Sequence, residues 1–75
     1  MQKPRTVQDF GKRLRELRKA RGFSQEGFAL QVNLDRTYVG GIERGERNPG
    51  LKVILRIADA LDVAVEELFE PPGRT

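Results

Sequence analysis

Apolar positions recur every third or fourth residue along most of the chain, and Gly, Asn and Pro break the recurrence into five short helical segments. Over 7–21 the stripe is Val7, Phe10, Leu14 and Leu17. Lys12, Arg13, Arg15, Glu16 and Lys19 read as mostly outward, Arg18 sits at the stripe's edge, and Gly22 is the stop. Ser24 can cap a second helix over 25–32, and Asn33 can end it in the left-handed conformation. Asp35 can then cap a third helix over 36–44, ahead of Gly45. Residues 45–50 read as loop from their Gly, Asn and Pro. A fourth helix starts near 49–51, with Asn48 or Gly50 as its cap, and runs to Leu61; a short fifth spans 62–70. The expected fold is all-α, a compact five-helix domain over 7–70. A flexible polar arm at 1–6 and a disordered Pro-Pro-Gly tail at 71–75 flank it.

The third segment is the informative one. With successive residues about 100° apart, Tyr38, Val39, Ile42 and Glu43 fall on one side, and Arg36, Thr37, Gly40, Gly41 and Arg44 on the other. One side anchors the helix. The other offers an arginine for guanine edges, a threonine methyl for thymine and two bare positions, as a helix entering a DNA major groove requires. In the preceding helix Ala29 is small enough for two helices to cross closely, and Phe28, Val32 and Leu34 can meet Val39 and Ile42 beside the turn. That spacing is the helix-turn-helix pattern. Arg36, Thr37, Gly40 and Gly41 are therefore the candidate base readers, with Arg36 suited to a bidentate contact with guanine.

The stretches FGKRLRELRKARGFSQ, RTYVGGIERGERNP and ILRIADALDVAVEELF together cover nearly the whole chain. Through them it resembles the lambda-repressor-like (Xre) family of helix-turn-helix regulators, and LDRTYVGGIERGERN is most similar to the controller proteins of restriction–modification systems. The resemblance implies a stand-alone dimeric DNA binder that regulates its own transcription and that of a restriction enzyme. It also implies a structural ion pair between Arg18 and Glu43, and phosphate contacts from Arg44, Arg47 and Asn48. Gln25 and Tyr38 join these as candidate DNA-backbone contacts, which set register without reading sequence.

Charge sharpens the picture. Residues 1–58 hold thirteen Lys/Arg against six Asp/Glu, a net +7, whereas 59–75 hold one Arg against five acids, a net −4. A basic body suits a polyanion, and the acidic end suits a different contact. At 75 residues the chain makes one domain whose small core favours oligomerisation. Cysteine is absent, and no apolar run reaches the length of a membrane span, so a cytoplasmic protein is expected. An enzyme is not: the chain has no His, no Cys and one Ser, which is needed as a cap. No phosphate-binding Gly loop or metal-ligand spacing appears, so neither cofactor nor metal nor small-molecule ligand is expected.

The fourth helix carries an apolar arc of about 220°, wider than a single core-facing stripe needs. Ile54, Ile57, Ala58 and Leu61 stand at its centre, leaving Val53 and Ala60, or Leu51 and Leu55, on a flank. Val53, Ile57, Ala60, Val63 and Val65 form the candidate homodimer surface. The expected partners are double-stranded DNA bearing a near-palindromic operator, a second copy and, through the acids of the last two helices, RNA polymerase. Two other readings compete: an antitoxin or phage-type repressor whose acidic end binds another protein, and a helical scaffold that binds no nucleic acid.

Overall fold

A computed structural model describes residues 6–73, so the expected arm lies, except for Thr6, outside the described residues, as do the last two positions of the tail. Among the described residues there are four α-helices, a 3₁₀ helix and no strand. Helix α1 spans Val7–Ala20 and begins where the Thr6 hydroxyl accepts the Asp9 amide at 3.0 Å. Helix α2, Gln25–Val32, is capped by Ser24 and ended by Asn33 at φ 58°. The Leu34 amide returns to the Ala29 carbonyl at 2.9 Å and closes that turn. Helix α3, Arg36–Glu43, starts at Asp35, and α4, Leu51–Leu61, starts at Gly50 and ends at Asp62 in the left-handed conformation.

The fifth segment departs from the expected α-helix. Asp62 (φ 55°) reverses the chain, Val63 returns its amide to Ala58, and only Val65–Phe69 coil, as a 3₁₀ helix. At its far end Glu70 is extended, the conformation imposed on a residue before proline, here Pro71. Between those two stops a single tight coil is all that fits.

The core is built from both faces of the turn. Leu14 of α1, Phe28 of α2, Val39 and Ile42 of α3, Ile57 and Leu61 of α4 and Leu68 of the 3₁₀ helix are all fully buried. Helix α1 packs against α3, and the contact is closer than side chains would permit. A Cβ on Gly11 would stand 2.2 Å from the Ile42 carbonyl oxygen and 2.6 Å from that of Glu43. Both obstacles are backbone, so only glycine fits there.

Several arginines fasten elements across the fold. Arg13, expected to face outward, is buried; its Nε donates to the Glu67 carbonyl at 2.8 Å and its Nη2 to Glu70 Oε1 at 3.2 Å. It lies three residues from Phe10 and four from Leu17, which places it at the edge of the buried stripe opposite Arg18. Arg56 donates through Nη2 to the carbonyls of Val32 and Asn33, the end of α2, and Arg21 reaches the Asp62 carbonyl at the end of α4. Arg56 and Arg21 thus meet carbonyls at helix ends, where no further turn of helix supplies a donor. Where the tail begins, the Gly73 amide donates to Glu16 Oε2 on α1.

Candidate nucleic-acid interface

Helix α3 owes its start to one side chain. Asp35 Oδ1 accepts both the Thr37 amide (2.8 Å) and the Thr37 hydroxyl (2.5 Å). These two bonds, the hydroxyl's first, hold the Asp35 carboxyl below its ordinary 3.8. The hydroxyl's only proton is thereby spent on Asp35, so Thr37 offers outward a methyl group and an acceptor oxygen but no donor.

Beyond that first turn, Gln25, Arg36, Thr37, Gly40 and Arg44 line one shallow depression of about 230 Å³. Three of the four residues proposed as base readers and two of those proposed as backbone contacts thus share a single hollow. Arg36, Thr37 and Arg44 are exposed in it, and Arg47 is exposed near Gly41.

The two glycines are placed differently from the sequence expectation. Gly40 and Gly41 are buried, not bare, because arginines from the end of α3 and the following loop lie over them. A Cβ on Gly40 would meet Arg44 Nη1 at 2.9 Å and Gln25 Oε1 at 3.5 Å, and one on Gly41 would meet Arg47 Cγ at 2.7 Å. The glycines are the floor on which those side chains rest. Spacing alone gave the direction in which they point and could not show what folds back over them.

Behind the hollow stands a buried ion pair. Arg18 Nε lies 2.6 Å from Glu43 Oε2 and Arg18 Nη2 lies 3.1 Å from Oε1, a bidentate arrangement that ties α1 to α3. Arg18 Nη1 also donates to the Phe23 carbonyl at 2.7 Å, and Gln25 Nε2 donates to Glu43 Oε1 at 2.9 Å. No buried side-chain polar atom among the described residues is left without a partner. Gln25 therefore joins the wall of the hollow to the ion pair that fixes α3, a link its sequence position did not disclose.

Two other expected contacts lie apart. Tyr38 is half-buried against the core. Asn48 is exposed on a separate hollow with Thr6, Val7, Phe10, Pro49, Ile54 and Phe69. The expected dimer surface also changes. Ile57 is 0% exposed and belongs wholly to the protomer's own core, and Val53, Ala60, Val63 and Val65 are half-buried against that core. The apolar side chains that α4 leaves in solvent are Leu51 (68% exposed) and Leu55 (49%), one turn apart on the other flank. Ile57 is drawn inward because it stands four residues before Leu61, on the face of α4 that packs into the core with α2 and the 3₁₀ helix.

Comparison with known proteins places this geometry among relatives. Residues 14–68 match the family model HTH_3, described as helix-turn-helix. The chain is 40% identical over 62 residues to the uncharacterized HTH-type transcriptional regulator YazB of Bacillus subtilis, which is 83% of this chain and 90% of that protein. It is 46% identical over 61 residues to the control protein C.MunI of a Mycoplasma species, covering 80% of this chain and 82% of that one. Among solved structures, the restriction–modification controller protein C.AhdI from Aeromonas hydrophila superposes with a TM-score of 0.82 at 57% identity. That match covers 84% of this chain and 96% of C.AhdI.

Proposed function

The chain belongs to the helix-turn-helix (HTH_3) family and is a DNA-binding transcriptional regulator, and we propose that it reads a near-palindromic operator as a homodimer, as a restriction–modification controller. In this reading the two copies set their α3 helices in successive major grooves, about one helical turn apart. The observation that carries it is the hollow where Arg36, Thr37 and Gly40 meet Gln25 and Arg44 on the exposed side of α3. Arg36 is the reader of guanine. Thr37, whose donor is spent on Asp35, is better suited to a thymine methyl than to a phosphate. Arg44 and Arg47, exposed beside α3, supply the phosphate contacts that set register.

The second copy docks on the exposed flank of α4. Leu51 and Leu55 supply its apolar centre, because the inner flank is already committed to the protomer. As a regulator it acts in the cytoplasm, on promoters. Whether it activates or represses follows from where its operator lies, and Asp59 and Glu66 are exposed acids at the end of the molecule where RNA polymerase would be met.

Selection of bound sequences from a random duplex pool tests the reading. Recovery of a two-fold symmetric motif with half-sites one turn apart is the expected result. Enrichment of no motif, with binding that depends only on salt, would reject it.

A further inference from the structure

One of the arginines that line the reading hollow is paired with a carboxylate, a group that a DNA-binding face has reason to avoid. Glu46 Oε2 lies 3.2 Å from Arg44 Nε, with both side chains more than half exposed. Backbone bonds fix the main chain from which this carboxylate extends. Gly45 is left-handed (φ 79°), its amide returns to the Ile42 carbonyl, and the Glu46 amide donates to the Gly41 carbonyl at 2.8 Å. The other end of the Arg44 guanidinium, Nη1, rests 2.9 Å from where a Gly40 Cβ would be, across the floor of the hollow. One arginine is thus held at two points, by an anion on one side and by the absence of a side chain on the other.

We propose that Glu46 is an internal stand-in for a DNA phosphate, which keeps Arg44 folded over Gly40 in the free protein and must be exchanged for a phosphate oxygen when duplex is bound. The chemistry of the exchange is symmetrical: a guanidinium pairs with a carboxylate or a phosphate through the same N–H donors. An exposed ion pair is weak enough for a polyanion to break. Until it is broken, one cation of this face is neutralised and base edges are kept from Gly40. Glu46 therefore lowers affinity for any duplex and flattens its salt dependence, and it acts through Arg44.

This inference rests on the DNA-binding reading above, and the test separates the two. Affinity for a random-sequence duplex is measured by fluorescence anisotropy across a salt series for the parent, Glu46→Gln, Arg44→Ala and the double variant. A thermal melt of each confirms that it folds. The expected result is that Glu46→Gln binds about two- to fivefold more tightly, the range an exposed ion pair supports. Its log–log salt slope should steepen by about 0.9, the value of one more neutralised phosphate. In the Arg44→Ala background the same substitution should change neither. An unchanged affinity and slope in Glu46→Gln would overturn the proposal. So would a gain that persists without Arg44, because Glu46 would then act as simple repulsion. A parent that binds no duplex at any salt sinks the DNA-binding reading itself.

Discussion

Arg36 and Asp35 are neighbours in sequence with different tasks: the proposed reading turns Arg36 to DNA, while the Asp35 carboxyl caps the helix that presents it. Arg36 lies exposed at the first position of α3, where its loss removes no packing. Arg36→Ala should leave the thermal melt within about 0.5 kcal/mol of the parent. It should weaken operator binding by about 1–3 kcal/mol per half-site and relax the selected motif at one position in each. Equal weakening on operator and random duplex would instead make Arg36 a phosphate contact. Asp35 governs the acid side. Its carboxyl is held below 3.8 by the Thr37 hydroxyl and amide, so the cap's contribution is complete above that value and lost as pH falls through the lowered folded value. An acid titration followed at the Thr37 amide should show the first turn of α3 loosening only below pH 3.8. In Asp35→Asn that midpoint should disappear.

Among the elements, α3 is held by what α1 and α2 place behind it. Arg18 and Glu43 form a buried bidentate pair, so removing one charge leaves the other uncompensated. Glu43→Gln should cost about 3–5 kcal/mol in chemical denaturation. The double variant Arg18→Met/Glu43→Leu should recover much of that, because it removes both charges. Gly40 should behave in the opposite sense. A methyl there meets only the far end of Arg44, which can swing away, and a helix interior favours Ala over Gly by about 1 kcal/mol. Gly40→Ala should therefore raise the melting temperature while weakening operator binding. A variant that gains stability and binds as tightly as the parent would show that the glycine floor serves neither Arg44 nor DNA.

For the whole molecule, charge and surface divide. The body over residues 1–58 is basic, Leu51 and Leu55 on α4 are exposed, and the proposed reading gives the first to DNA and the second to another copy. Two half-sites held by one rigid dimer bind as a unit, so loss of the dimer costs far more than loss of a single contact. Leu51→Lys/Leu55→Lys should sediment as a folded monomer, retain weak salt-sensitive binding and lose the preference for a two-fold operator. If it still sediments as a dimer, another surface joins the copies.

The sequence by itself determined the first four helical segments, the caps at Ser24, Asn33 and Asp35 and the side of α3 that faces out, because each depends on residues within four positions of one another. Ser24, Asn33 and Asp35 stand where a cap must stand, and the 3.6-residue period fixes which side of α3 carries Arg36. The link between Arg18 and Glu43 was legible only through family resemblance, since 25 residues separate the two. Tertiary structure alone decided whatever depends on distant chain meeting distant chain. It buried Arg13 against the 3₁₀ helix, drew Ile57 inward and left Leu51 and Leu55 outside. It pressed Gly11 onto the carbonyls at the end of α3 and folded Arg44 and Arg47 back over Gly40 and Gly41. Periodicity gives the direction in which a residue points; what it meets there is set by how closely the helices approach.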